Sequence, residues 1–382
     1  MKSLLIAALV AVTPLPPLQP ELLHAAIADL EHPVATSAQL RVAGPAGRWY
    51  GAEGLADGRR EVRPDDRFRI GSVTKVFVAT VALQLVAERR LSLETKVRHY
   101  FPDVPESLDA VTVGQLLNHT SGIPNEVGYP DLSTPEKVLA HRYDRWTPQQ
   151  LRDLIPESGP KFPPGTRQEY RGINYLLATM IVEKITGRDL AREVEERVTR
   201  PLGLTKTYVP QRNETTIRGA HVHGYLDVSG QRVDVSDFNS SRAHGEGDMV
   251  STTGDLTRFI DALFGGRLLP EPLLEKMFTL PEVSMVDGTP ARYGTGLQTF
   301  TVNGVEVWGK TGEWYGYNAG MFSTRDRQRR IAYSFTPAVR DASQQEMTLR
   351  IANAVTSGAA QEVGEVMRTQ QGVSWRHHDA PV

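Results

Sequence analysis

The stretch from Val73 to Glu88 (VTKVFVATVALQLVAE) constrains the fold most, because apolar residues dominate it and neither Gly nor Pro interrupts it. Such a run forms a helix buried on most sides, so the rest of the chain has to supply the layers that cover it. Gly71-Ser72 marks its N-terminal boundary. The chain has 382 residues, 40% of them apolar, which is enough to enclose the helix in one large core or two modest ones.

Short strands are expected before it at Gln39–Val42, Trp49–Gly51 and Phe68–Ile70, separated by Gly, Pro and Asp, with a first helix over Glu21–Leu30. From about residue 94 to 264 the pattern turns mostly helical with long loops. Val111–Asn118, Pro148–Ile155, Ile173–Ile185 and Asp189–Val198 carry helical periodicity, and Gly187, Pro201 and Gly203 mark stops. Strands return at Tyr293–Val302, Glu306–Lys310, Tyr317–Ser323 and Arg330–Phe335, with Asn303-Gly304 as a hairpin turn, and Gln344–Val355 closes the chain as a helix. Strands at both ends of the chain with helices between them predict an α/β fold: an antiparallel sheet flanked by helices, with an all-helical subdomain inserted. The boundaries read as a signal or N-terminal tail over 1–20, a sheet subdomain over 21–95 plus 265–360, a helical subdomain over 96–264 and a flexible tail over 361–382.

Charge and composition narrow the partners. With 43 basic and 45 acidic residues the formal charge is -2, so no broad positive field exists to hold nucleic acid or an anionic membrane, and a small-molecule or peptide substrate is expected. The absence of cysteine excludes a thiol nucleophile, thiolate metal sites and disulfides. Met1-Lys2-Ser3 followed by apolar Leu4–Val12 and Thr13-Pro14 reads as an export signal, too short to span a bilayer. It predicts an extracytoplasmic protein, or a cytoplasmic one if that segment is not a signal. Ala26-Ile27-Ala28 has the look of a cleavage site but falls inside the first helix, so cleavage is expected before it. His221 and His223 alternate without a third ligand at usable spacing, and His377-His378 lies in the tail, so neither metal nor cofactor is expected. His119, beside Thr120-Ser121-Gly122, reads as a residue that caps or orients a loop. Thr252 or Thr253 is expected to cap a helix.

The chemistry-bearing residues stand far apart in sequence. Ser72-Val73-Thr74-Lys75 is a Ser-x-x-Lys at a helix start, where residues three apart share a face and the helix N-terminus favours an alkoxide. A buried lysine with a lowered pKa can activate the serine. Ser158-Gly159-Pro160-Lys161 has the same spacing in a Gly-Pro loop that fixes nothing, which shows that placement rather than spacing carries the signal. Tyr170, after the rigid turn Pro163-Pro164-Gly165-Thr166, is presented at a loop-helix junction where it can share a proton with Lys75 and protonate a leaving group. Lys310-Thr311-Gly312 on an edge strand offers a fixed cation, a hydroxyl and room for a substrate backbone. The backbone N–H groups of Ser72 and Glu313 can form an oxyanion hole. Trp308, Trp314 and Tyr315 bracket this third segment as cleft-lining or packing aromatics.

In this order these segments resemble the penicillin-recognising serine enzymes: DD-peptidases, class C β-lactamases and family VIII esterases. The resemblance runs from about Leu22 to Gly358 and includes Phe68 through Lys75, Leu116-Leu117-Asn118-His119-Thr120-Ser121-Gly122, Pro164-Gly165-Thr166, and Gly309 through Gly312 leading to Gly316-Tyr317. It is strongest to soluble D-alanyl-D-alanine carboxypeptidases. It implies Ser72 as acylated nucleophile, Lys75 and Tyr170 as the proton-transfer pair, Lys310 as the third-motif base, and a D-amino-acid peptide such as the peptidoglycan stem as substrate. The alternatives are an esterase or acyltransferase on the same scaffold and a non-catalytic penicillin-binding module. Two departures bear on the substrate. The family's second motif is usually Tyr-x-Asn, but this chain reads Tyr170-Arg171-Gly172, and Asn174 is expected to reach into the site in its place. Glu313 follows Lys-Thr-Gly directly, and if it faced inward it would oppose a substrate carboxylate by roughly 1 to 4 kcal/mol at about 4 Å. Alternation along a strand leaves its face open.

Overall fold

The computed structural model describes residues 15–32 and 34–357, so the export-signal segment before Leu15, the tail and His377-His378 lie outside the described residues. In chain order, the elements that frame the site are α1 (Pro20–Ala28), β1 (Ala35–Gly44), β2 (Gly47–Gly54), α2 (Thr74–Ala87), α3 (Gly172–Thr186), α4 (Thr253–Phe264), β3 (Gln298–Val302), β4 (Val305–Trp314), β5 (Tyr317–Ser323), β6 (Arg330–Pro337) and α5 (Gln344–Thr356). The strands form one antiparallel sheet in the order β2-β1-β6-β5-β4-β3. Its centre joins the two ends of the chain, with Leu40 of β1 opposite Tyr333 of β6. The α/β class expected from the order of elements is the one the chain adopts.

Strand alternation divides the apolar residues between two cores. Ile331, Tyr333 and Phe335 of β6 join Leu40, Val42 and Phe322 under α1 and α5. Ala332, Met321 and Trp308 face the other way, toward α2 and α4. There Phe77 of α2 stacks on Phe259 of α4 with ring centroids 3.8 Å apart. The covered helix predicted from Val73–Glu88 is α2, whose residues Val76 through Leu83 are all buried.

Several expectations shift. Phe68–Arg69 pairs with Val250–Ser251 instead of joining the main sheet, because a run this short carries no register of its own. Within the stretch read as helical, Tyr225–Val228 and Gln231–Asp234 form a hairpin about Ser229 and Gly230, whose φ values of 53° and 81° suit a tight primed turn. Its partly exposed, polar strands lack the alternation that would have revealed it. Helix α4, assigned by the sequence boundary to the middle subdomain, packs against β1, β5 and β6. Periodicity shows that a helix has a buried stripe but not which layer it faces. Thr252, not Thr253, caps α4, accepting a hydrogen bond from the Asp255 N–H. No helix among the described residues is long and apolar enough to cross a membrane.

One asymmetry of the sheet sets the position of the site. β3 pairs with β4 only as far as Gly309, so from Lys310 to Trp314 the strand has β5 on one side and an edge free of further strands on the other.

Candidate active site

The turn before α2 and the free edge of β4 meet backbone to backbone. A Cβ on Gly312 would lie 2.0 Å from the Ile70 carbonyl oxygen and 3.1 Å from the Ser72 nitrogen, and one on Gly71, whose φ is 49°, would lie 2.5 Å from the Glu313 nitrogen. Only glycine permits this approach at either position, and it sets the N–H groups of Ser72 and Glu313 at the same opening. Ser72 sits in a 3-10 turn that runs into α2, and one turn later the Lys75 ammonium donates to Ser72 Oγ at 3.3 Å and to the Glu246 carbonyl at 2.7 Å.

Tyr170 reaches the same oxygen from another segment, its hydroxyl 2.7 Å from Ser72 Oγ. Its backbone is fixed by Gln168, a fully buried residue whose amide donates to the carbonyls of Asn118 and Tyr293 and whose oxygen accepts from the N–H groups of Arg292 and Tyr293. Lys75 and Lys310 place their ammonium groups 5.1 and 4.5 Å from the Tyr170 ring centroid. Lys310 is buried and also donates to Gln298 Oε1 at 3.3 Å. The structure therefore brings Ser72, Lys75, Tyr170 and Lys310 into one cluster from three separate stretches of chain. Thr311, Gly312 and Glu313 line the same opening, a cleft of about 650 Å³.

His119 lies beneath Tyr170 with ring centroids 4.6 Å apart. Burial, and then the charges of Lys75, Lys310 and Arg171, hold its imidazole well below the ordinary pKa and hence neutral. Its Nδ1 accepts from the Arg171 N–H and from the Asn174 amide, so it orients the loop. Asn174 does not reach into the site as expected. Its amide nitrogen bonds His119 and its oxygen accepts from Ser121 Oγ at 2.6 Å, and the residue has no exposed surface. Two residues along a helix turn the side chain through about 200°, so a residue two places after Gly172 points away from the face that Gly172 presents.

Glu313 lies on the Thr311 side of the cleft, where its carboxylate accepts from Arg340 Nε at 2.5 Å. The charge that would have opposed an anionic substrate is thus matched by a cation from the loop before α5. Trp314 and Tyr315 are buried and pack with Phe238, while Trp308 packs on Phe278. His221 and His223 stack 4.8 Å apart away from the cleft, and His223 bonds Asp234.

Acidic residues that the sequence did not single out gather beside Lys75. Glu126 is buried, and neither of its carboxylate oxygens has a hydrogen-bond partner from another residue among the described residues. Burial, and then the neighbouring Glu246 carboxylate, push its pKa up to about 8. Glu246 is likewise raised by burial, with Lys75 and Arg242 pulling it back and Asp248 pushing it up. Arg242 donates to the Tyr315 hydroxyl at 3.0 Å. The sequence signal for these residues was faint: acids inside segments otherwise rich in apolar and small residues.

The family model described as Beta-lactamase matches residues 33–356. The chain belongs to the beta-lactamase family. As a member it is a serine hydrolase of the superfamily that also contains penicillin-binding proteins. Among solved structures it is similar to the D-stereospecific amidohydrolase from Streptomyces sp., at 35% identity and a TM-score of 0.76, with 86% of this chain and 97% of that one covered. It is also similar to the D-amino acid amidase from Ochrobactrum anthropi SV3, at 26% identity and a TM-score of 0.75, covering 88% of this chain and 97% of that one. Penicillin-binding protein 4* of Bacillus subtilis is 26% identical over 321 residues, 80% of this chain and 68% of that protein. Two further curated relatives are matched over only 57% and 51% of their own length.

Proposed function

We propose that this member of the beta-lactamase family is an amidohydrolase acting on D-amino-acid amides or short D-peptides that carry a free α-amino group. The observation that carries this reading is Glu126, a buried carboxylate without a bonding partner from another residue, close enough to Lys75 and Glu246 to feel their charges. A buried carboxyl is stabilised in its charged form by a cation, and a substrate ammonium is a cation that can arrive with the scissile bond. The D-configuration is supported by similarity to the D-stereospecific amidohydrolase and the D-amino acid amidase.

In this reading Ser72 Oγ attacks the carbonyl carbon while its proton passes to Lys75 in its neutral amine form. The oxyanion is held by the N–H groups of Ser72 and Glu313, and Tyr170 gives the leaving amine its proton as the C–N bond breaks. Water then attacks the acyl-enzyme and gives its proton to the Tyr170 oxygen, while Lys75 returns its proton to Ser72 Oγ as the ester bond breaks, so that the acid is released and all three groups are restored. Lys75 and Lys310 beside the Tyr170 ring favour negative charge on its oxygen between the two transfers. We place this ahead of D-Ala-D-Ala carboxypeptidase activity on stem peptides, because the Arg340 guanidinium at the edge of β4 is already bonded to Glu313.

The test is turnover of D-phenylalanine amide, L-phenylalanine amide, N-acetyl-D-phenylalanine amide and an N-acylated D-Ala-D-Ala peptide, with intact mass to locate the acyl group. Turnover of the first alone, with the acyl group on Ser72, is expected. Cleavage of the N-acylated dipeptide without cleavage of the free amine would replace this reading with the carboxypeptidase one.

A further inference from the structure

Position 172 is empty of side chain, and the space is filled from elsewhere. A Cβ built on Gly172 would lie 1.7 Å from Glu246 Oε2 and 2.8 Å from Glu246 Cδ. The carboxylate of Glu246 therefore stands where a longer residue at the start of α3 would project. The main-chain carbonyl of the same residue receives the Lys75 ammonium at 2.7 Å.

We propose that Glu246 is a positioning residue for Lys75: its carboxylate replaces a side chain at position 172, and its charge sets the pH at which Lys75 accepts the Ser72 proton. The proposal rests on the Ser72–Lys75 reading of the site and not on the reading of Glu126 as an ammonium receptor.

The loop that carries Glu246 is held from several sides, as a positioning device requires. The Met249 N–H donates to Thr74 Oγ1 at 3.2 Å, beside Lys75. His244 bonds Glu183 of α3 at 2.8 Å and Asp248 at 3.3 Å. Gly245, with φ of 73°, lies so close to α3 that a Cβ there would stand 1.8 Å from Thr179 Oγ1. The charges that face Glu246 are Lys75 and Arg242, which favour its ionised form, and Asp248 and Glu126, which oppose it. Two neighbouring buried carboxyls hold one proton more readily than none. The Glu246 charge helps to raise Glu126, while the Lys75 and Arg242 cations favour that charge on Glu246.

The experiment measures kcat/KM against pH with p-nitrophenyl acetate, a neutral substrate that makes no demand on Glu126. Glu246→Gln keeps the volume and the main-chain bond to Lys75 and removes only the charge. An ammonium relieved of a neighbouring carboxylate gives up its proton more readily, so the ascending limb should move to lower pH by roughly one unit. Glu246→Ala should lower kcat/KM roughly tenfold, and Gly172→Asn added to it, now free of the overlap with the carboxylate, should recover most of the loss. A Glu246→Gln profile that superimposes on the unaltered one would overturn the proposal. If that variant does not fold, failure of Gly172→Asn to rescue Glu246→Ala overturns it instead. Ester turnover that survives Ser72→Ala would remove the underlying reading of Ser72, an outcome visible before any Glu246 variant is made.

Discussion

On one side of Ser72 stand Lys75, Tyr170, Lys310 and Gln298, a wall in which ammonium, hydroxyl and amide groups bond one another at 2.7 to 3.3 Å. Beside Lys75 a second wall is made of Glu126, Glu246 and Arg242, buried or half-buried ionisable groups brought in by loops, with one carboxyl left without a bonding partner from another residue. The first wall is complete without substrate. In our reading the second is completed by it. Polar groups that saturate one another inside a protein rigidify a site, whereas a buried carboxyl left open resists ionisation until a cation arrives and makes the site selective for the ligand that stabilises its charged form.

The largest effect should come from the first wall. Ser72→Ala is expected to lower amide hydrolysis by more than about 10³-fold, roughly 4 kcal/mol of transition-state stabilisation, and to abolish the covalent acyl adduct in intact mass. A variant that keeps the adduct would move the nucleophile elsewhere and dissolve the contrast between the walls.

The second wall depends on a clamp that titrates. Burial disfavours the His244 imidazolium, but its bonds to Asp248 and Glu183 outweigh that and raise its pKa to about 9, above the ordinary 6.5. A histidine raised in the folded state stabilises the fold fully below pH 6.5, and the contribution disappears as pH climbs through about 9. Its size is on the order of 2 to 3 kcal/mol. Urea unfolding of the protein and of His244→Gln at pH 6 and pH 9.5 should show a stability gap at the lower pH that largely closes at the higher one. A gap of equal size at both would mean that the clamp holds the Glu246 loop without charge.

Glu126→Gln separates binding from folding. The KM for a D-amino acid amide should rise roughly 10- to 50-fold while turnover of a neutral ester changes little. A carboxyl whose folded pKa is raised from 4.5 to about 8 destabilises the fold increasingly as pH rises between those values. The same variant should therefore gain stability relative to the unaltered protein between pH 4.5 and pH 8, by on the order of 4 kcal/mol. A rise in KM for the neutral ester as well would show that Glu126 shapes the cleft instead of reading an ammonium.

The two walls also differ in how far the sequence exposed them. Ser72 and Lys75 lie one helical turn apart, so local spacing together with the apolar run after them was enough to see their partnership. Tyr170 and Lys310 stood out by their turn and strand contexts, although their approach to Ser72 depends on the fold. The sheet was legible because each of its strands alternates or ends at a turn such as Asn303-Gly304, whereas the Tyr225–Asp234 hairpin, polar and half exposed, was not. Glu126 and Glu246 are 120 residues apart and meet only because both lie against the start of α2, a coincidence no spacing encodes. Asn174 shows the converse error. Proximity in sequence to the vacant motif position suggested a substitute, but helical rotation carried it into the packing around His119, and a distant loop filled the space.

Arg340 offers the finest test, because it belongs to the first wall by position and to the second by character: a charge supplied from far along the chain to correct a local departure. Its pair with Glu313 is partly exposed, with side-chain accessibilities of 29% and 25%, so its own contribution to stability should not exceed about 1 kcal/mol. Removing it leaves the Glu313 carboxylate unmatched at the edge of β4. Arg340→Ala should therefore lower kcat/KM for an anionic ester by roughly two- to fivefold relative to a neutral ester of the same acyl group, and 0.5 M salt should shrink the difference, since screening at about 0.5 M reduces interactions between exposed charges. Adding Glu313→Gln should restore the ratio, because the two charges then leave together. If the ratio stays unchanged in the single variant, Glu313 faces away from the path of substrate charge, and its consequence for substrate choice, inferred from its place after Lys310-Thr311-Gly312, is cancelled by orientation and not by Arg340.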